Sequence, residues 1–123
     1  MTTTGIDFVA IQVRDIERSA AFYEQHLALV RAPYGPEQAI VFDTQPIPFA
    51  VREPLPGVDL ETATPRPGVG IALWFHVDDV AGAHQSLVQA GVPIVSEPMN
   101  GPFGLTFSFS DPDGYVVTVH DKA

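Results

Sequence analysis

The sequence contains no cysteine, which excludes three kinds of chemistry at once. A chain without thiols has no disulfide framework, no thiolate nucleophile and no Cys-ligated metal. Basic residues are also few, since six Lys and Arg stand against fifteen Asp and Glu, for a net charge of −9. A field of that sign repels nucleic acid and anionic lipid and favours the approach of cations. Because the acids are scattered along the chain, the charge is also explained by solubility alone.

Long apolar runs are absent as well. Residues 1–5 are small and polar, with no basic patch leading into an apolar stretch, so neither a signal peptide nor a membrane span is indicated. We therefore expect a cytoplasmic protein with no membrane or nucleic-acid partner. The length of 123 residues and the 46% hydrophobic content predict one compact globular unit.

A short phrase that occurs twice is the most informative feature present. Residues 11–16 end a strand-like run and open a helical one at Asp15, and residues 75–80 do the same at Asp79. Asp is a favoured N-cap because its carboxylate accepts the free amides of the first helical turn. The repeat predicts a chain built as two similar halves, with a functional cleft between them.

Hydrophobic periodicity and turn residues place the other elements. In the first half, a helix with a buried stripe of Ile16, Ala20, Tyr23 and Leu27 follows a strand at 6–13. In the second half, the helical stripe is Val80, Ala83, Leu87 and Ala90, and Gly91 with Pro93 ends the helix. The further strands are predicted at 29–33, 38–43, 48–53, 69–77, 94–97, 104–110 and 115–120. The fold class is therefore α+β, with two fused βαβββ modules at 5–53 and 69–121 and a Pro-rich linker at 54–68.

Three phrases resemble the vicinal oxygen chelate superfamily, which includes glyoxalase I, extradiol dioxygenases and the bleomycin-resistance proteins. They lie at residues 13–23, 77–80 and 109–115, so the resemblance covers nearly the whole chain. It implies a single domain over 1–123, in which each module rolls its sheet into a half-barrel with the helices outside. It also implies a homodimer.

In the enzymes of that family a divalent metal is held by His on a first strand and Glu on a last strand. Carried across, these positions fall on Phe8, Ala72 and Thr118, with a less certain one near Ala50 or Arg52. None of these side chains is an imidazole or a carboxylate. We therefore expect no metal and no cofactor. A metal site relocated to His76 and His120 is the alternative, although no carboxylate shares their strand face.

Strand alternation then sorts the side chains that face the cleft from those under the helices. The residues predicted to bind a ligand are Phe8, Gln12, Arg52, Trp74, His76, Thr118 and His120. Trp74 is the only Trp and its indole suits a planar or cationic ligand, although packing between modules or at a dimer interface explains it equally well. Phe103 and Phe107 are candidates for a mobile rim, although a lone Phe in such a strand is more often a core residue. Catalytic residues are not assigned, since nucleophile elbows and paired carboxylates on the cleft face are missing.

Two functions remain open. The first is a binder that sequesters a small planar or cationic molecule without metal, as the resemblance to bleomycin-resistance proteins implies. The alternative is a lyase, isomerase or oxygenase of the glyoxalase and dioxygenase type, with an unusual ligand set. A domain that binds a protein partner is a third interpretation.

Overall fold

The computed structural model describes residues 1–122, and the chain forms two compact units that divide between Glu61 and Thr62. Unit 1 is the part before this boundary and unit 2 the part after it. The boundary lies inside the Pro-rich segment 54–68. Both units combine one helix with one mixed sheet, as the α+β prediction requires.

Unit 1 contains three strands and one helix. The strands are β1 (Val9–Gln12), β2 (Ala39–Phe42) and β3 (Phe49–Arg52), and the helix is α1 (Ile16–Leu27). The order in the sheet is β1-β3-β2, in which β1 pairs with β3 in parallel and β2 pairs with β3 in the antiparallel sense. After α1 and β2, the chain therefore returns to place β3 beside β1.

The strand predicted at 29–33 is reduced to one isolated bridge between Arg31 and Phe42. The Ala32 amide donates to the Val41 carbonyl at 2.8 Å, so pairing begins, but Pro33 has no amide with which to continue it. The guanidinium of Arg31 also reaches α1, where it forms ion pairs with Glu17 and Glu24. Its hydrogen bond lowers the pKa of Glu24. This segment is thus held to the helix as well as to the sheet.

Unit 2 contains four strands and one helix. They are β4 (Leu73–His76), α2 (Val80–Gln89), β5 (Ile94–Gly101), β6 (Gly104–Ser110) and β7 (Val116–His120). The order is β4-β7-β6-β5, with β4 and β7 parallel and the other pairs antiparallel. The predicted strand at 69–77 is shorter than expected because residues 67–70 form a turn.

Both helices begin where the repeated phrase predicts. The Asp15 carboxylate accepts the amide of Arg18 at 3.1 Å, and the Asp79 carboxylate accepts the amide of Gly82 at 2.9 Å. Past the end of α2, Gly91 has a φ of 73°, the left-handed conformation that glycine adopts without strain. Sequence and structure therefore agree on the start of each helix and on the end of the second.

Each unit buries one face of its sheet under its helix. In unit 1, Tyr23 of α1 is fully buried and its ring meets that of Phe49 edge-on, with centroids 5.4 Å apart. In unit 2, Leu87 of α2 and Phe107 of β6 are fully buried. Phe107 thus belongs to the core, and its interpretation as a rim residue is wrong. Ala90 is also outside the predicted stripe, since it caps α2 and is exposed.

Candidate functional site

The face of the unit 2 sheet that faces away from α2 carries two rows of side chains across its strands. The strand register aligns Trp74 with Thr118, Ser108 and Ser96 in one row, and His76 with His120, Thr106 and Met99 in the next. The alternate positions, among them the fully buried Val117 and Val119, point into the core. We call the surface formed by the two rows the open face of unit 2.

Three rings form an aromatic cluster on this open face. The ring centroids lie 5.3 Å apart for Trp74 and Phe103, 5.9 Å for Trp74 and His120, and 6.2 Å for Phe103 and His120. Trp74 nevertheless remains 47% exposed and Phe103 51% exposed. Large aromatic rings that stay accessible while they contact one another offer a stacking surface to a ligand.

His120 of this cluster also meets a second imidazole, that of His76, edge-on. His76 and His120 occupy paired positions on parallel strands, and their ring centroids are 5.6 Å apart. The Nδ1 atom of His120 is buried and has no hydrogen-bond partner among the described residues. A buried polar atom without a partner carries an energetic cost.

A hydroxyl pair completes the open face. The Ser108 and Thr118 side-chain oxygens are 2.7 Å apart and part-buried. One hydroxyl donates to the other, so one hydroxyl hydrogen of the pair is left for a further acceptor. Ser108 was not predicted as a site residue, although the alternation of β6 places it on the same face as the predicted Thr118.

Unit 1 has an open face of a different kind, with a pocket of about 150 Å³. Its lining residues are Phe8, Ala10, Pro36, Gln38, Ala39, Val41, Ala50 and Arg52. Alanines form its floor, since Ala10 and Ala50 are paired across β1 and β3. Phe8 stands at its edge with 48% of its surface exposed. We call it the unit 1 pocket. Of the predicted residues it contains Phe8 and Arg52.

Gln12 is placed differently from the other predicted residues. Its side-chain carbonyl accepts the amide of Leu55 at 2.7 Å, which fastens the segment that follows β3. Its position next to Arg52 in the strand register would otherwise put it beside the unit 1 pocket. The sequence shows that Gln12 is on the open side of β1, but not that a backbone amide occupies its oxygen.

The residues that the resemblance places at the family's metal positions do not fit a divalent cation. Phe8 and Ala72 have no donor atom, and the Thr118 hydroxyl is engaged with Ser108. Throughout residues 1–122, no three His, Asp or Glu side chains come together as metal ligands do. The His76 and His120 pair provides two nitrogens, short of the three protein ligands of a typical catalytic zinc site.

The chain belongs to the Glyoxalase/Bleomycin resistance protein/Dioxygenase superfamily, whose family model matches residues 5–119. No curated protein matches the sequence significantly. None of the helices within residues 1–122 is long and apolar enough to cross a bilayer.

Solved structures agree with this fold. A protein of unknown function from Agrobacterium tumefaciens str. C58 is 22% identical, with a TM-score of 0.76 and coverage of 100% of this chain and 98% of the other. TnmS3, an antibiotic binding protein from Streptomyces sp. CB03234, is 23% identical, with a TM-score of 0.74 and coverage of 100% and 99%. Lactoylglutathione lyase from Agrobacterium tumefaciens is 21% identical, with a TM-score of 0.67 and coverage of 98% and 96%. The fold therefore includes both a binder and an enzyme.

Proposed function

We propose that the protein binds and sequesters a small planar or cationic molecule on the open face of unit 2, without a metal. The observation that carries this function is the accessible aromatic cluster of Trp74, Phe103 and His120. Stacking on an indole and a phenyl ring needs a flat ligand. A cationic ligand is in addition attracted electrostatically by the negative faces of the rings.

Charge supports a cationic ligand. The protein carries a net charge of −9, and unit 2 contributes six acids against two bases to it. A negative field raises the local concentration of cations and speeds their association. The hydroxyl pair and the His76 and His120 imidazoles supply acceptors or donors that orient the ligand once it is stacked.

The side chains of this face support binding rather than catalysis. A planar ligand stacked on Trp74 meets imidazoles and hydroxyls, while the carboxylate of Asp121 accepts the Leu105 amide at 2.9 Å. Within residues 1–122, no two carboxyl groups lie on this face in position for acid–base catalysis. The fold likeness to TnmS3, which binds an antibiotic, agrees with such a function, and the likeness to a lyase keeps the enzymatic alternative open.

The single Trp makes the test specific, because all indole fluorescence comes from Trp74. We would titrate the protein with 9-aminoacridine as a planar cation, naphthalene-2-sulfonate as a planar anion and tetraethylammonium as a non-planar cation. Saturable quenching by the planar cation is expected, with much weaker responses to the other two. Calorimetric titration in parallel separates binding from optical interference by the dye.

A pair of variants tests the position of the site. Trp74→Ala should weaken binding of the planar cation by about tenfold or more, since base–aromatic stacking is worth roughly 1–3 kcal/mol. Tyr34→Ala is the matched control, because Tyr34 is 85% exposed in unit 1 and should leave affinity unchanged. No saturable heat with any of the three probes, or equal affinity in Trp74→Ala, would refute the proposal.

The wider context belongs to the same proposal. We expect the protein to act as a homodimer in the cytoplasm and to bind neither nucleic acid nor membrane. Light scattering coupled to size exclusion would show the expected mass of two chains, and a monomer at micromolar concentration would contradict it.

A further inference from the structure

We propose that Asp121 and Lys122 are positioning residues, which fasten the tip of the β5–β6 hairpin so that the ring of Phe103 lies against Trp74. The inference rests on the proposed function and names the groups that hold the aromatic cluster in place before a ligand arrives. The hairpin tip is residues 101–104, and the two residues that fasten it follow β7 directly.

Phe103 needs such support because it stands in a turn at the edge of a sheet. The strand that leads into this turn, β5, is an edge strand of the unit 2 sheet. Its register with β6 shifts at two places between Ile94 and Met99, so the ladder from Met99 to Gly101 connects the tip with β6. Loop tips with few supporting contacts open easily. Contacts from outside the hairpin therefore decide how firmly the ring is held.

The two residues after β7 bind the backbone of the hairpin at three places. The carboxylate of Asp121 accepts the Leu105 amide at 2.9 Å. The backbone amide of Lys122 donates to the Phe103 carbonyl at 3.2 Å, and its ammonium group donates to the Pro102 carbonyl at 3.2 Å. These bonds hold the backbone of Phe103 directly and that of residues before and after it.

Gly104 allows this close approach. A Cβ on Gly104 would overlap the carboxylate of Asp121, and its φ of 81° is one that glycine adopts without strain. A residue with a side chain would displace Asp121 from the Leu105 amide. The contact thus depends on specific residues on both sides.

The fastened ring belongs to the aromatic cluster. Its centroid lies 5.3 Å from that of Trp74 and 6.2 Å from that of His120, which directly precedes Asp121 in the chain. A ring that is already in place loses less entropy when a ligand stacks on it. Release of the tip would lower the population of the binding-competent state, and the apparent dissociation constant would rise in proportion.

Two substitutions of Asp121 separate position from charge. Asp121→Ala removes the acceptor and should weaken binding of 9-aminoacridine, measured by calorimetry, by about threefold or more. Asp121→Asn keeps an acceptor oxygen and removes the same charge, so its affinity should stay within about twofold of the wild type. Equal losses in the two variants would show that the charge acts rather than the position, and would overturn the assignment.

A double-mutant cycle tests whether Asp121 acts through the ring. Phe103→Ala should weaken binding of 9-aminoacridine by about fivefold or more, because it removes a stacking surface. Asp121→Ala added to Phe103→Ala should then change the affinity by less than about twofold, since the ring that it positions is already absent. Additive losses would overturn the assignment.

Lys122→Pro removes both hydrogen-bond donors of Lys122. Loss of its positive charge alone would strengthen the binding of a cation to this acidic protein. Release of the tip has the opposite effect and should weaken the binding of 9-aminoacridine by about twofold or more. An affinity equal to or above that of the wild type would overturn the role of Lys122.

The position of Phe103 is also measured in the free protein, which separates this inference from the proposed function. Two-dimensional NMR of the wild type and Asp121→Asn should show nuclear Overhauser contacts between the Phe103 and Trp74 rings. Asp121→Ala should lose most of their intensity and exchange its Leu105 amide hydrogen faster, and unchanged contacts would overturn the positioning role. If the wild type bound none of the three probes, the proposed function would fail, and these signals alone would support or overturn the fastening of Phe103.

Discussion

The two units resemble each other on their buried faces and differ on their open ones. Under both helices the sheet carries Val and Phe side chains that are fully buried. On the open side, unit 1 has alanines and one guanidinium, whereas unit 2 has an indole, two imidazoles and two hydroxyls. Packing fixes the first set, since a core tolerates few changes of volume. The second set is free of that constraint, and there the two units differ.

The largest expected effect tests whether the two cores are equivalent. Phe42→Ala in unit 1 and Phe107→Ala in unit 2 each remove a ring that is fully buried. Each should lower the free energy of unfolding by about 3–5 kcal/mol, because the transfer energy is lost and a cavity remains. Urea unfolding followed by circular dichroism measures this. A loss below about 1 kcal/mol in either variant would show that its unit is loosely packed.

An intermediate effect distinguishes two glycines that share a left-handed backbone. Gly68 has a φ of 83° and Gly57 a φ of 84°, but a Cβ at Gly68 would overlap the ring of Tyr115, while a Cβ at Gly57 would meet open space. Gly57→Ala should cost only the backbone strain of roughly 1–2 kcal/mol. Gly68→Ala should cost about 1–3 kcal/mol more, from overpacking. Equal thermal shifts in the two variants would contradict this placement of Tyr115.

The smallest expected effect concerns His26, which is in the last turn of α1 and only 9% exposed. Desolvation by burial lowers its pKa in the folded protein. The unfolded chain, with an ordinary pKa of about 6.5, therefore takes up a proton before the folded protein does. The contribution of buried, neutral His26 to the free energy of unfolding is therefore fully present above the ordinary pKa of about 6.5. It is lost as the pH falls below that value.

The contribution of His26 is tested by measuring melting temperatures between pH 8 and pH 5 for the wild type, His26→Gln and His84→Gln. The decline toward low pH should be shallower in His26→Gln than in the wild type. His84, whose Nε2 lies 3.0 Å from a carboxylate oxygen of the exposed Glu97, serves as the control. A pH profile that His26→Gln leaves unchanged would show that His26 is accessible to solvent.

Local chemistry predicted the scaffold well. The Asp caps, the strand alternation and the buried stripes each depend on residues a few positions apart, so they can be read from the sequence. The strand at 29–33 was wrong because its pairing depends on Pro33 and on the tether of Arg31 to α1. The two possibilities for Phe107, rim or core, could be decided only by the packing of α2 against β6.

The sites were less accessible to sequence reasoning. Alternation correctly placed Trp74, His76, Thr118 and His120 on one face of unit 2. It could not show that Phe103, which lies in the turn between β5 and β6, contacts Trp74. Nor could it show the unit 1 pocket, whose wall includes Pro36 and Gln38 from a loop, or the contact of Gln12 with Leu55. Such contacts depend on the path of loops rather than on strand period.

The central claim is that the protein binds its ligand without a metal. It is tested most directly by titrating Trp74 fluorescence with 9-aminoacridine before and after exhaustive treatment with a chelator. Elemental analysis of protein purified without a chelator accompanies the titration. A metal-independent binder should give the same saturable binding curve before and after chelation. It should also contain less than about a tenth of an equivalent of any transition metal. Binding that disappears on chelation and returns with added Zn²⁺, Ni²⁺, Mn²⁺ or Fe²⁺ would contradict the account and favour the enzymatic alternative.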